Sequence, residues 1–123
     1  MLDAAEEVVG YYTLAPHVVD RGDVQKKASR GAPDRVPSIL LARLALAEHL
    51  QGQGHGGELL AEALDRALDG IRRIGGRVIV VDAIDDRAAS FYEHHGFKAK
   101  PMEPRRLFTK ASDAARTLGE AWP

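Results

Sequence analysis

The chain has 123 residues, of which 45% are hydrophobic and 28% charged, so we expect one hydrophobic core and a single domain over residues 1–123. The lack of cysteine excludes disulfides, zinc ribbons and thiol nucleophiles. The formal net charge of −1 gives no overall case for nucleic-acid binding, so any such case must come from local charge. Since no apolar run is long enough to span a bilayer and Met1–Gly10 lacks a basic segment, we expect a cytoplasmic protein with no membrane partner.

The first part of the chain predicts two strands separated by a long loop. Val8–Ala15 is rich in β-branched and aromatic residues and is followed by Pro16, a pattern typical of a strand. Residues 16–37 contain three prolines and many charges with no sustained apolar period, which indicates a loop. Ile39–Ala47 lies between Pro37 and a glycine cluster, and this position favours a buried strand over a helix.

The rest of the chain alternates between helical and extended patterns. Apolar residues recur at helical spacing from Gly57, and this helix is predicted to end at the glycine pair 75–76. Val78–Val81 predicts a short buried strand. The next helix is predicted to start at a cap, either Asp85 or Asp86, and to end at Gly96. Two strands are predicted to follow, at Phe97–Lys100 and Leu107–Ala111, with a turn at Pro101–Arg106 between them. Ser112 is predicted to cap a short C-terminal helix.

A glycine-rich segment, LQGQGHGGELL at residues 50–60, joins the second predicted strand to the first predicted helix. Backbone N–H groups at a helix N-terminus bind anions through unpaired donors and the helix dipole, so we expect a phosphate-bearing ligand. Gly52, Gly54 and Gly57 fit the G-x-G-x-x-G pattern of dinucleotide-binding folds, but the chain lacks the further strand-helix units of such folds. The pattern G-x-x-x-x-G-K-[ST] is absent, which excludes the P-loop of proteins that bind ATP or GTP.

Two motifs resemble those of the GCN5-related N-acetyltransferases, the GNAT family. The first, Q-x-x-G-x-G at residues 51–56, is similar to the loop with which this family binds the diphosphate of an acyl-CoA. The second, DDRAASFYEHHGF at residues 85–97, is similar to the family pattern N-x-x-A-x-x-F-Y-x-x-x-G-F, with aspartate in place of asparagine. Within the family, the acetyltransferase toxins of toxin-antitoxin pairs resemble the chain most, through the runs VVGYYTLA, ILLARLALA, QGQGHGGELL, VIVVDAIDDRAASFYEHHGF and PMEPRRLF.

The resemblance implies an α/β fold of the α+β type, the GNAT acyl-CoA N-acyltransferase fold. This fold has a mixed, mostly antiparallel sheet and a central strand-loop-helix site for CoA. Residues 1–123 would form a single N-acetyltransferase domain that is N-terminally truncated, because the family's first strand, two helices and second strand have no counterpart here. Val8–Ala15 would pair with Ile39–Ala47 on one side and leave an open sheet edge, which predicts self-association and lower activity than in a version extended upstream.

The family also implies a set of site residues. The pantetheine arm of CoA would lie between Ile39–Ala47 and Val78–Val81. Catalysis is assigned to Tyr92, as donor of a proton or a hydrogen bond to the departing CoA thiolate; an ordinary core aromatic is the alternative. Since the reference pKa is about 10 for tyrosine and about 8.5 for a thiol, Tyr92 must have a lowered pKa or act mainly by hydrogen bonding. Cofactor binding is assigned to Leu44, Leu46, Gln51, Gly52, Gln53, Gly54, His55, Gly56, Gly57 and Asp85.

The implied function is that of a toxin-type enzyme, which transfers an acetyl group from acetyl-CoA to the α-amino group of aminoacyl-tRNA and so blocks translation. No carboxylate stands out as a general base, and an α-amine suits such a site because about 1 in 7 of these groups is neutral at pH 7, against about 1 in 2,500 lysine amines. Two alternatives stay open. The chain is an N-acetyltransferase of a small amine or a protein amine, or it is a catalytically silent fragment that binds CoA or an antitoxin.

The implied partners are acetyl-CoA, aminoacyl-tRNA, a cognate antitoxin of the ribbon-helix-helix type and, as one assembly, a second copy in a homodimer. No metal is expected, since the five histidines lack metal-ligand spacing. Two basic clusters are candidate contacts for tRNA phosphates, or else solvated surface. They are Arg21, Lys26, Lys27, Arg30 and Arg35 in the predicted loop, and Lys98, Lys100, Arg105, Arg106 and Lys110 near the C-terminus.

Overall fold

A five-stranded sheet forms the centre of the computed structural model, which describes residues 1, 2, 5, 7–20, 35–120 and 122. The strands are β1 (Gly10–Asp20), β2 (Arg35–Leu46), β3 (Val78–Asp82), β4 (Lys98–Lys100) and β5 (Glu103–Lys110). The helices are α1 (His55–Ile74), α2 (Asp86–His94) and α3 (Ala111–Thr117), and a short 3-10 helix covers Glu48–Leu50.

The strand order across the sheet is β1-β2-β3-β5-β4. Strands β2 and β3 are parallel, and the other three pairs of neighbours are antiparallel. Parallel neighbours need a long crossover connection, which α1 provides between β2 and β3. The sheet is mixed and mostly antiparallel, so the predicted fold class is confirmed. No helix in the part of the chain that the structure describes is both long and apolar enough to cross a membrane.

The hydrophobic core lies mainly between the sheet and α1. Side chains alternate along β3, so that Ile79 and Val81 pack on the side of α1 while Val78 and Val80 belong to a smaller cluster on the opposite face. The residues of α1 that the helical spacing singled out are buried in the main cluster: Leu60, Leu64, Leu68 and Ile71. Burial of this apolar stripe holds the N-terminus of α1 in place beside the sheet.

The helix boundaries follow the predicted signals closely. α1 begins two residues before Gly57 and ends where expected, at Gly75, which has a left-handed φ of 81° and donates its N–H to the Ile71 carbonyl at 2.7 Å. Asp85 is the cap of α2, because its side chain accepts a hydrogen bond from the Ala88 N–H. Gly96, with a φ of 97°, follows the end of this helix as predicted.

The predicted loop over residues 16–37 is wrong at both ends, because β1 continues past Pro16 and β2 begins before Pro37. In the described sheet β1 pairs with β2 alone, so a proline that lacks an N–H is tolerated on this edge strand. Pro37 precedes Ser38, where the pairing of β2 with β3 starts. Residues 21–34 lie outside the described residues.

Two predictions near the C-terminus are also wrong. The turn covers only residues 101–102, since β5 begins at Glu103 instead of Leu107 and pairs with β3 as well as β4. Ser112 does not cap α3, because the helix starts directly after β5 at Ala111. The N–H of Ala111 donates to the Arg77 carbonyl at 2.9 Å, so a backbone group from outside the helix satisfies one donor of its first turn.

The outer side of β1 has no strand partner within the described ranges, as the predicted open edge requires. The prediction of the pairing itself is confirmed, since Tyr11 lies opposite Ala45 and Tyr12 opposite Leu44. The chain before β1 covers the start of this edge: the Met1 amino group donates to the Gly10 carbonyl at 2.7 Å, and Leu2 and Val8 form an isolated bridge. The predicted self-association through this edge stays a prediction.

Candidate active site

Strands β2 and β3 pair over only part of their length, and the candidate site lies where they separate. Their parallel pairing ends at Leu41 and Val81. Just beyond this point, the register between β1 and β2 shifts at Thr13 and Leu14, which marks a β-bulge. β2 continues to Leu46 beside β1 alone, so the last residues of β2 have one side without a strand partner in the described sheet. The strands therefore diverge as the family resemblance implies.

A cavity of about 640 Å³ occupies this gap, a volume typical of small-molecule sites. Its walls come from the end of β2, the glycine-rich loop with the start of α1, and the start and inner face of α2. From β2 and the loop these are Leu44, Leu46, Gln51, Gly52, Gly54, Gly56, Gly57 and Leu59. From the α2 side they are Ile84, Asp85, Arg87, Ala88, Phe91, Tyr92, His94 and His95.

The loop between β2 and α1 leaves the N-terminus of α1 open towards the cavity. Gly52 and Gly54 have φ values of 78° and 85°, a left-handed conformation that glycine adopts without strain. Gly54 is the N-cap of α1, and no side chain caps the first turn. The Gln51 side chain donates to the Leu46 carbonyl at 3.0 Å and so ties the loop to the end of β2. The arrangement presents uncapped N–H groups and the positive end of a 20-residue helix, as anion binding requires.

Helix α2 packs closely against the first turn of α1. A Cβ atom on Gly56 would lie 3.3 Å from a ring carbon of Phe91, and one on Gly57 would lie 3.3 Å from a ring carbon of His95. Phe91 and His95 themselves form an edge contact with ring centroids 4.7 Å apart. These two glycines therefore allow the close approach of the helices, a role that the phosphate interpretation of the sequence did not include.

Tyr92 lies at the inner wall of the cavity with only 6% of its surface exposed. Its ring makes edge contacts with Phe91 and Phe97, at centroid distances of 5.3 and 5.6 Å. Burial raises the pKa of Tyr92 to about 12. At this pKa the hydroxyl is protonated at neutral pH, and it is available as a donor because it has no hydrogen-bond partner in the described part of the chain. The role implied by the family requires Tyr92 either to have a lowered pKa or to act mainly by hydrogen bonding. Burial raises the pKa instead, so only the hydrogen-bonding role is compatible with this environment.

Most residues assigned to the cofactor from the sequence line the cavity, and two do not. Gln53 donates its side-chain amide to the His49 carbonyl at 3.1 Å, and His55 lies 3.5 Å from the Glu58 carboxylate. Asp85 is at the cavity, but its carboxylate accepts from the Ala88 N–H at 2.8 Å as the cap of α2. The side chain of Asp85 is thus already engaged.

Sequence reasoning did not assign Ile84, Arg87 or His95 to the site, although all three line the cavity. Arg87 and Phe91 are four residues apart on α2, and His95, the C-cap of that helix, follows Phe91 by four more; helical spacing places such residues on one face. Burial, and then the charge of His94, lower the pKa of His95. The i, i+4, i+8 spacing was the available signal for this face.

The second basic cluster is largely engaged in ion pairs. Arg106 binds both carboxylate oxygens of Asp82, at 2.7 and 2.8 Å, and this bond holds the pKa of Asp82 below its usual value against the effect of burial. Arg105 lies 3.3 Å from Asp86. Such pairs reduce the positive charge that this cluster could offer to a phosphate group. Of the loop cluster, Arg21, Lys26, Lys27 and Arg30 lie outside the described residues.

Comparison with known proteins shows that the sequence and the fold are similar to those of acetyltransferase toxins. The chain is 40% identical to the tRNA-acetylating toxin of Mycobacterium tuberculosis over 113 residues, which is 92% of the chain and 68% of that protein. A crystal structure of a tyrosine-to-phenylalanine mutant of KacT matches with a TM-score of 0.84 and 27% identity, over 93% of this chain and 69% of the other.

Two structures of the toxin AtaT also match. AtaT complexed with acetyl-methionyl-tRNAfMet has a TM-score of 0.80 and 29% identity, over 90% of this chain and 67% of the other. A mutant AtaT bound to acetyl-CoA and to the C-terminus of the antitoxin AtaR has a TM-score of 0.72 and 28% identity, over 88% of this chain and 62% of the other. The family profile described as "Acetyltransferase (GNAT) domain" matches residues 2–99. The chain therefore belongs to the GNAT acetyltransferases, which use acetyl-CoA as the acetyl donor.

Proposed function

We propose that this chain is a toxin-type N-acetyltransferase that moves the acetyl group of acetyl-CoA to the α-amino group of an aminoacyl-tRNA and so blocks translation. The observation that carries the proposal is the meeting, at one cavity, of an uncapped helix N-terminus, an unpaired strand end and the Tyr92 hydroxyl. The choice of acceptor is supported by the 40% identity to a tRNA-acetylating toxin. The continuous sheet supports one N-acetyltransferase domain over residues 1–123.

The donor would occupy two parts of the cavity. The diphosphate of acetyl-CoA would bind the backbone N–H groups of Gly52–Gly57, which need no cationic side chain because several donors converge with the helix dipole. The pantetheine amides would pair with the backbone of Leu44 and Leu46, which have no partner strand on the β3 side. This mode is β-strand addition at an open sheet edge.

The reaction joins the acceptor nitrogen to the thioester carbon. Attack by the neutral amine forms a tetrahedral oxyanion, which a backbone N–H near Leu46 would stabilise by about 3 kcal/mol. Collapse breaks the C–S bond, and the leaving thiolate accepts a hydrogen bond from Tyr92. With a pKa of about 12 for Tyr92 against about 8.5 for a thiol, full transfer of the phenol proton is uphill by about 5 kcal/mol. Tyr92 therefore stabilises the thiolate as a neutral donor. The nitrogen loses one proton to solvent as the amide forms, and this released proton balances the negative charge of the thiolate.

An α-amine acceptor suits a cavity whose described walls offer no carboxylate free to act as a base. Asp85 is the sole Asp or Glu among the described lining residues, and its side chain is held by the Ala88 N–H. The wall therefore offers no uncommitted carboxylate as a general base. An α-amine with a pKa of about 8 is substantially neutral at physiological pH and reacts without one.

A cognate antitoxin is proposed as the protein partner. The support is the similarity to AtaT, whose structure includes the C-terminus of the antitoxin AtaR. That the antitoxin is of the ribbon-helix-helix type, and that the toxin forms a homodimer, are predictions from the family resemblance.

An acetylation assay with radiolabelled acetyl-CoA tests the proposed acceptor. The acceptors to compare are aminoacyl-tRNA, deacylated tRNA, spermidine and a peptide with a free N-terminus. We expect label in the acid-precipitable fraction with aminoacyl-tRNA, and its loss when the ester to the amino acid is hydrolysed by mild base. Labelling of spermidine or the peptide in preference to aminoacyl-tRNA would favour the small-amine or protein-amine alternative. No transfer to any acceptor, with acetyl-CoA bound, would favour the silent fragment.

A further inference from the structure

One cation of the cavity wall has no counter-ion in the part of the chain that the structure describes. Arg87 is the only Arg or Lys among the described residues that line the cavity. It lies in the first turn of α2, is exposed, and has no carboxylate within ion-pairing distance among the described residues. An arginine in this position binds anions through a planar fork of donors.

The three acidic residues that precede Arg87 most closely in the sequence are engaged elsewhere. Asp82 is held by both nitrogens of Arg106, and Asp86 pairs with Arg105. The Asp85 carboxylate caps α2. These three carboxylates thus have partners, while Arg87 at the cavity wall has none among the described residues and is left for a ligand.

The proposed donor has more phosphate than the glycine-rich loop accounts for. The uncapped first turn of α1 suits the diphosphate, which joins the ribose of the adenosine portion to the pantetheine arm. CoA also has a separate 3′-phosphate on its ribose, a compact dianion that arginine binds with two charge-assisted hydrogen bonds.

We infer that Arg87 binds the 3′-phosphate of the donor, and that this contact makes the enzyme select CoA thioesters over their 3′-dephospho forms. The inference deepens the proposed function and rests on it, because it requires acetyl-CoA in the cavity. Arg87 is then a specificity-determining residue for the donor and has no part in the bond-making step.

Calorimetric titration with CoA and with 3′-dephospho-CoA tests the inference without an acceptor. We expect the wild-type protein to bind CoA about tenfold more tightly than 3′-dephospho-CoA. Arg87→Ala is expected to lose that tenfold for CoA and to bind 3′-dephospho-CoA like the wild type. Arg87→Lys keeps the charge without the fork and is expected to retain part of the preference.

Arg43→Ala is the matched control, since Arg43 is also exposed and has no ion-pair partner in the described chain but does not line the cavity. Its preference for CoA should equal that of the wild type. Equal weakening of both ligands by Arg87→Ala, or no weakening of either, would overturn the inference. So would a KM change for aminoacyl-tRNA alone, which would assign Arg87 to the acceptor. A wild-type protein that binds neither ligand would contradict the proposed function instead.

Discussion

The N-termini of α1 and α2 both lie at the cavity, but their ends are completed in opposite ways. α2 has Asp85 as cap, and its carboxylate accepts from the Ala88 N–H at 2.8 Å. α1 begins after Gly54, which has no side chain, and no side-chain cap replaces it. A cap satisfies backbone donors and adds a negative charge, whereas an uncapped end keeps both the donors and the positive dipole for a ligand. The difference explains why the proposed diphosphate site is at α1 and not at α2.

The largest expected effect comes from giving α1 the carboxylate that α2 already has. Gly54→Asp should lower the affinity for acetyl-CoA at least about 100-fold, because it places a negative charge where the diphosphate would approach. Its φ of 85° also disfavours any side chain there. Calorimetric titration measures the change. Gly75→Asp is the control, since Gly75 has a similar φ of 81° and open space around it but lies at the far end of α1. Unchanged binding by Gly54→Asp would leave the loop as a helix entry turn.

The next largest effect concerns the chemistry between the two helix ends. Tyr92→Phe should lower kcat about 100-fold while acetyl-CoA binding stays within about twofold, because only the donor hydroxyl is removed from a packed ring. Steady-state kinetics with aminoacyl-tRNA and calorimetry give the two quantities. Tyr11→Phe, at an exposed tyrosine of β1, controls for the loss of a phenol elsewhere. An unaltered kcat would make Tyr92 an ordinary core aromatic.

Burial of Tyr92 also predicts a specific dependence of stability on pH. Its pKa is about 12 in the folded protein and about 10 when unfolded, so the unfolded state loses the proton first as the pH rises. The corresponding stability is fully present below about pH 10 and is lost between about pH 10 and 12, with a loss of about 1.4 kcal/mol by pH 11. Urea denaturation of the wild type and of Tyr92→Phe over pH 8–11 isolates this contribution. Parallel stability curves for the two proteins would show that Tyr92 is not desolvated.

The smallest expected effect comes from changing the cap of α2. Asp85→Ala removes the cap of α2 and should cost about 1 kcal/mol of stability, measured by urea denaturation. Asp85→Asn keeps a good capping side chain and should cost almost nothing. Since the substitution to asparagine also removes a negative charge from the cavity wall, acetyl-CoA should bind about two- to fivefold more tightly. Weaker binding of acetyl-CoA to Asp85→Asn would show that the carboxylate itself assists the donor.

Local signals in the sequence located most of the site. Glycines with positive φ, an aspartate cap and helical spacing depend on residues within a few positions of each other, and for this reason the ends of α1 and α2 were predicted to within two residues. The two family motifs assigned Gln51–Gly57 and Tyr92 to one predicted ligand. All of these residues except Gln53 and His55 line the same cavity.

The errors fall where distant segments decide the outcome. Whether Pro16 ends a strand depends on which side of β1 is paired, and that is a property of the whole sheet. The start of β5 at Glu103 depends on β3 as a second neighbour, which the hairpin residues alone do not reveal. Arg106 was a candidate for phosphate contact by its charge, yet the sheet places it against Asp82.

The sequence by itself determined the helices of the site, the glycine-rich turn before α1 and the family to which the chain belongs, because these are encoded in short runs with fixed spacing. Only the tertiary structure decided the separation of β2 from β3, the burial that raises the pKa of Tyr92 and the position of Arg87 at the cavity without an ion-pair partner among the described residues. Each of these depends on which groups from distant parts of the chain share one environment. Desolvation and ion pairing act through space, and their strength is set by neighbours that spacing along the chain does not specify.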